Sequence, residues 1–188
     1  YRKETAPYFL FVGSLKRGKN IPRIIRAFAK FQSFTKKQYV LVFSGGDFWR
    51  DPEIDRELSV VSRQSSARNV KEAVQFTGVA TDEKLAEYYR GARALVSPSL
   101  WEGFCLPAAE AMACGTPVIG STTGSMPEVV GKGGILVKPT SEEEIVKAMV
   151  AMTKDSVQYK NMKTEAVVQA KQFTWEGFGG KVLRTYTQ

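Results

Sequence analysis

Ser97-Pro98-Ser99-Leu100-Trp101-Glu102-Gly103-Phe104-Cys105-Leu106-Pro107-Ala108-Ala109-Glu110-Ala111-Met112-Ala113-Cys114-Gly115-Thr116-Pro117-Val118-Ile119 is the stretch on which the reading of this chain turns. Ala94, Leu95 and Val96 lead into it as a short apolar strand, and Gly103 sits in the loop that follows. Pro107 marks the first turn of a helix, where a missing N–H costs nothing. Gly115-Thr116-Pro117 ends that helix and announces a strand at Val118-Ile119. Strand, loop, helix start and strand form the layout of a ligand site at the edge of a parallel sheet.

The alternation continues outward from this stretch. Upstream, Tyr8 to Val12, Tyr39 to Phe43 and Val74 to Gly78 are short β-branched and aromatic runs, each closed by glycine or serine. Between them, Ile21, Ile24, Ile25, Phe28 and Phe31 recur at helical spacing after a polar turn, Lys16 to Asn20. Asp51-Pro52 starts a helix running to about Gln64, and Thr81 caps another through Leu85, Tyr88 and Tyr89. Downstream, Ile135 to Val137 gives a sixth strand, Ser141 and Glu144 form a capping box, and two further helical segments fill the tail. Continuous rather than alternating apolar strands predict a doubly wound, Rossmann-like α/β domain: about six parallel strands with helices on both faces.

The 188 residues, 43% hydrophobic and 24% charged, suffice for one sizeable core. No apolar run approaches the roughly 20 residues of a membrane-spanning helix. The chain opens on Tyr1-Arg2-Lys3-Glu4-Thr5, without an initiating Met, and reads as a piece of a longer protein. Cys105 and Cys114 flank one helix at a span of about 13 Å, too far for a disulfide, and are expected as free thiols of a reducing, cytoplasmic compartment. With no His in the chain, zinc and the commonest general base are both disfavoured. Asp47, Asp51 and Asp55 read as caps and loop solvation rather than metal ligands.

Charge is uneven. Residues 1–40 hold ten Lys/Arg against one acid, net +9, and the remainder holds 17 against 18, net −1, which together give the +8 of the chain. Arg23, Arg26 and Lys30 share one face of the first helix. That stripe reads as a solvated face, with peripheral contact to anionic lipid as the other reading. Nucleic acid is not an expected partner, since the basic face interleaves no aromatics.

In such sheets ligands bind beyond the carboxyl ends of the strands, which selects Gly13 to Lys19, Gly78-Val79, Ser97 to Leu106 and Gly120 to Glu128. Backbone N–H groups at a helix start favour an anion such as phosphate, and Gly103 allows close approach. Carboxylates at Glu102 and Glu110 suit vicinal hydroxyls, while Lys19 and Arg17 can neutralise the phosphate between them. Diols, phosphate and cations together describe a nucleotide sugar.

Glu102-Gly103-Phe104-Cys105-Leu106-Pro107 through Glu110 to Ile119 closely resembles the signature of family 4 glycosyltransferases (glycosyl transferases group 1) of the GT-B fold, in their C-terminal, donor-binding half. The likeness extends to Phe11-Val12-Gly13, Lys19-Asn20, Phe76-Thr77-Gly78, Pro98-Ser99, Gly124 to Val129 and Phe173-Thr174-Trp175, nearly the whole chain. It implies a nucleotide-sugar-binding domain over residues 1–172, with a helical tail over 173–188 that packs toward an N-terminal domain outside this sequence. It also implies a retaining, metal-independent hexosyltransferase that uses a nucleoside diphosphate sugar as co-substrate and no other cofactor, working in polysaccharide or glycolipid biosynthesis. The acceptor, a saccharide or lipid-linked glycan, would lie on the other domain, at the cytoplasmic face of a membrane; the fragment alone would be inactive.

Carried to this sequence, the resemblance implies that Glu110 holds the ribose and Glu102 the donor sugar. The backbone of Gly103, Phe104, Cys105 and Leu106 would hold the distal phosphate, with Gly13 and Ser99 lining the site. Lys19 would hold the diphosphate, with Arg17 or Lys16 left to stand in for the arginine often found at Ser14, and the Gly78-Val79 backbone would hold the base. Two positions depart from the pattern: Cys105 replaces a usual glycine and Ser14 a frequent arginine. The departures keep open a non-catalytic nucleotide-binding or interaction module. A glycosidase pair fits the anion-binding loop poorly, and an NAD-type oxidoreductase lacks its Gly-x-Gly-x-x-Gly spacing.

Overall fold

The computed structural model describes residues 6–35, 37–48, 50–64 and 70–186; the basic residues Arg2, Lys3 and Lys36 lie outside them. Tyr8–Val12 forms β1, flanked on one side by β2 (Val40–Ser44) and on the other by β4 (Ala94–Ser97). With β3 (Val74–Gly78), β5 (Val118–Ser121) and β6 (Gly134–Val137), the order is β3-β2-β1-β4-β5-β6, parallel throughout. Parallel neighbours need crossovers, and the helices supply them: α1 (Ile21–Phe34), α2 (Glu53–Gln64), α3 (Val70–Ala73), α4 (Asp82–Gly91), α5 (Leu106–Ala113) and α6 (Met126–Val130). Three more, α7 (Glu142–Thr153), α8 (Val157–Ala170) and α9 (Trp175–Tyr186), complete the described chain.

Side chains that alternate along β1 define the two layers. Phe9 and Phe11 face a cluster with α1, α2 and α7, whereas Leu10 faces α4, α5, α6 and α8. The first layer is aromatic: Phe9 meets Phe31 edge-on at 5.4 Å, and Phe11 tilts onto Phe43 at the same distance. β1 and β4 pair only through Phe9/Ala94 and Leu10/Leu95, so the two central strands part toward their carboxyl ends. The sheet order reverses between them, and the crevice opened there is where such sheets bind ligands.

Two expectations are corrected here. Tyr39 lies just before β2, its ring buried against Phe9 and Phe31. β3 is an edge strand with Phe76 partly exposed. The basic stripe on α1 is ion-paired rather than freely solvated. Arg26 Nη1 lies 2.6 Å from Glu57 on α2, its Nε 2.5 Å from Glu142 on α7, and Lys30 Nζ 2.6 Å from the other Glu142 oxygen. Arg23 donates to Asn20 Oδ1 and the Pro139 carbonyl. Against a burial penalty that pushes the other way, hydrogen bonds from Lys30 and Arg26 hold the Glu142 carboxyl below its usual range. The short helices α3 and α6 are additions that the periodicity did not predict, since four or five residues carry too little of it.

Tyr8 donates to the Tyr88 carbonyl at 2.8 Å, and burial pushes its phenol up to about 12. An unfolded phenol ionises near pH 10. The unfolded chain therefore loses this proton first, and stability present below pH 10 drains away toward pH 12. Denaturant melts across that window should lose about 2 kcal/mol, and Tyr8→Phe should flatten the loss.

Candidate functional site

The crevice is built from the loops after β1, β2, β3, β4 and β5. After β1, Lys16 is followed by a single 3-10 turn, Arg17–Lys19, which ends on Asn20 at φ 63°. This left-handed conformation suits Asn, and Asn20 is buried. Its amide donates to the carbonyls of Pro98 at 2.9 Å and Pro139 at 2.7 Å, tying the β1 loop to the loops after β4 and β6. The Leu100 N–H also reaches the Gly18 carbonyl.

Those ties bring Lys19 onto Glu102, Nζ to Oε1 at 2.5 Å, with only 16% and 11% of the two side chains exposed. The Glu102 backbone is fixed from the other side. Its carbonyl accepts from the Ser125 N–H and hydroxyl, and Gly124 packs so closely that a Cβ there would stand 2.5 Å from it. The loop after β5 thus clamps Glu102. The ammonium keeps two further N–H groups and the carboxylate its second oxygen, so both can meet a ligand with the pair intact.

Four residues after Glu102 the chain enters α5. Among the described residues no acceptor faces the N–H groups of Gly103, Phe104, Cys105 or Leu106, no side chain caps the helix, and no acid lies in its first turn. An uncapped, acid-free helix start favours an anion. Cys105 has φ −90°, open to any L-residue, and its side chain is buried with Sγ 3.6 Å from Ser97 Oγ. The missing glycine therefore costs the loop nothing. Burial pushes the thiol pKa up, so Cys105 is a packing group; Cys105 and Cys114 are both free, as their spacing predicts. Ser99 is fully buried with its hydroxyl 3.5 Å from that of Ser97, so it supports the loop from beneath.

One turn into α5, Glu110 is exposed, and Tyr89 from α4 donates to its Oε2 at 2.7 Å. Tyr89 is itself buried and anchored by Thr116, whose hydroxyl donates to the Tyr89 carbonyl at 2.5 Å. Burial, and then the bond to Glu110, push the phenol pKa far up, so it remains a donor at any ordinary pH. Tyr89→Phe keeps the ring and frees the carboxylate. It should leave melting nearly unchanged while weakening nucleoside diphosphate affinity about 3- to 10-fold, read by calorimetry.

Gly13, Gly45 and Gly78 close the far side of the crevice. The Gly45 N–H donates to the Gly78 carbonyl at 2.8 Å, and Gly13 N–H to Ser44 at 3.0 Å. Val79 is exposed beside them, at the mouth of a cleft that continues the crevice. Arg17 is exposed and makes no ion pair among the described residues, and Ser14 is half-buried nearby in sequence. Asp51 caps α2 through the Glu53 N–H, and Asp55 pairs with Arg50. Among the described residues no group of three potential metal ligands converges. Sequence reasoning did not find the roles of Asn20, Tyr89 or Gly124; a polar residue at a helix start and a tyrosine on an apolar face carry no mark of what they reach.

The switch-point crevice of this doubly wound sheet joins an uncapped helix start to a lysine and two carboxylates. The chain belongs to the glycosyl transferases group 1 family, whose model matches residues 1–169, and its fold is that of a GT-B, family 4 domain. It is 33% identical over 180 residues to the O-antigen chain mannosyltransferase B of Escherichia coli, covering 95% of this chain and 45% of that protein. A sucrose-phosphate synthase from Thermosynechococcus elongatus superposes with a TM-score of 0.79 at 30% identity, over 97% of this chain and 45% of the other. An α,α-trehalose-phosphate synthase from Burkholderia vietnamiensis, at 14% identity and TM-score 0.83, shares the fold. The chain thus spans less than half the length of the relatives it matches. No helix among the described residues is long and apolar enough to cross a membrane.

Proposed function

We propose that this chain is the donor-binding half of a retaining, metal-independent glycosyltransferase that moves a hexose from a nucleoside diphosphate sugar to an acceptor held by a second domain. The observation that carries this reading is the uncapped start of α5, set between the Lys19–Glu102 pair and Glu110. The diphosphate lies against the N–H groups of Gly103 to Leu106 and against Lys19, with Arg17 as the second cation. Glu110 takes the ribose diol and the free Glu102 oxygen a sugar hydroxyl. The leaving diphosphate gains charge as the glycosidic bond breaks, and the ammonium and helix start, already aimed at it, stabilise that charge without reorganising.

Domain closure supplies the geometry, and nothing in this half replaces it. Residues 173–188 pack toward the other domain: α9 buries none of its side chains and exposes Trp175, Phe178, Leu183 and Tyr186. The names of the relatives favour a mannose-type donor and a polysaccharide acceptor, and a lipid-linked acceptor at the cytoplasmic face of a membrane belongs to the same proposal.

Calorimetry with UDP, GDP, ADP and NAD tests the reading. One nucleoside diphosphate should bind, NAD should not, and Glu110→Ala should weaken binding about 10- to 100-fold. A folded chain silent toward all four returns the domain to the non-catalytic alternative.

A further inference from the structure

Between the loops that leave β2 and β3 lies a cleft of about 150 Å³, walled by Leu15, Gly46, Asp47, Arg50, Phe76 and Val79 among others. Its two charged walls are chemical opposites. The Arg50 guanidinium carbon stands 4.6 Å from the centroid of the Phe76 ring, which is itself stacked on Phe43 at 5.1 Å. Arg50 Nη2 and Nε are held by Asp55 at 2.8 and 3.3 Å, leaving Nη1 with both its N–H groups. Asp47 is exposed, and among the described residues its carboxylate makes no hydrogen bond or ion pair. The Arg50 N–H donates to the Asp47 carbonyl at 2.8 Å, and this turn fixes how far apart the two side chains start. The cleft thus offers an acceptor-only anion and a donor-only cation that do not neutralise each other.

We propose that this cleft reads a guanine base, Asp47 accepting from N1–H and the 2-amino group and Arg50 Nη1 donating to O6. The proposal rests on the reading of this chain as a donor-binding half and names the base that reading leaves open. Guanine is the one common base with two adjacent donors on one edge and two adjacent acceptors, O6 and N7, on the next. Uracil places a single N–H between two carbonyls, and adenine and cytosine set an amino group beside an unprotonated ring nitrogen. A carboxylate facing any of these meets a lone pair as well as a proton, so Asp47 selects by repulsion as much as by attraction.

The test is calorimetry on the 188-residue chain with GDP, UDP, ADP and CDP, and on Asp47→Asn with GDP, UDP and XDP. GDP should bind at least about tenfold more tightly than the other three. Asp47→Asn, an exposed loop change that leaves the fold alone, should weaken GDP by a similar factor and, with the repulsion removed, leave UDP bound no more weakly than before. It should also strengthen XDP, whose second carbonyl accepts from the new amide. Preference for UDP, ADP or CDP, or GDP binding indifferent to Asp47→Asn, overturns the guanine assignment while the donor-binding reading stands. A folded chain that binds no nucleoside diphosphate overturns both.

Discussion

Lys19→Ala should lower sugar transfer by the intact enzyme about 100- to 1000-fold, the cost of removing one preorganised charge from a departing anion. It should also destabilise this domain. Lys19 and Glu102 are paired at 2.5 Å with little solvent access, and deleting the ammonium leaves a largely buried carboxylate uncompensated, at a cost of about 3 kcal/mol. The two effects separate in Lys19→Met/Glu102→Gln, which removes both charges and keeps most of the volume. Denaturant unfolding of this double variant should recover most of the lost stability, and transfer should stay low. Recovery of transfer along with stability would show that the pair holds the fold and takes no part in the chemistry.

Gly45→Ala is the second large effect, and it bears on stability first. Gly45 has φ +150°, and an added Cβ would stand 2.1 Å from the Gly13 carbonyl oxygen. Backbone strain and overlap each cost about 1–3 kcal/mol, and neither can relax without parting the loops after β1 and β2. A loss of about 4 kcal/mol corresponds to a melting point lower by about 10 °C or more in a domain of this size. Calorimetric melting reads it directly. A Gly45→Ala protein melting within 2 °C of the parent, on the same scale, would mean that the two loops are not in contact.

The fold was legible because each of its determinants is local. Short apolar, β-branched or aromatic runs of two to five residues marked the strands, and caps such as Thr81 and Ser141 lie where the structure has them, accepting from the Lys84 and Glu144 N–H groups. Glu102, Glu110 and Lys19 could be singled out for another reason: all lie in or beside loops at the carboxyl ends of strands, and the structure brings Lys19 onto Glu102 with Glu110 one turn into the helix that follows. What was not legible depends on contacts between distant parts of the chain. Asn20 reads as one more turn residue until its amide is seen reaching Pro98 and Pro139, separations of 78 and 119 residues. Tyr89 reads as core until its hydroxyl is seen on Glu110. The α1 stripe looks wet because a sequence shows which charges share a face and not that Glu57 and Glu142 come to meet them.

Those ion pairs shape how a ligand reaches the crevice. Arg26 and Lys30 are matched by Glu57 and Glu142, so the α1 flank contributes little field at a distance. The surplus of the N-terminal third that faces water without a partner among the described residues includes Lys16 and Arg17, at the lip of the turn that carries Lys19. A diphosphate drifting near this surface therefore meets attraction concentrated at the mouth and near-neutrality on the flank beside it. On the proposed donor-binding reading, capture is accelerated where it is useful, and since that field decays over about 10 Å in ordinary salt, ionic strength acts on the rate of arrival more than on the lifetime of the bound ligand.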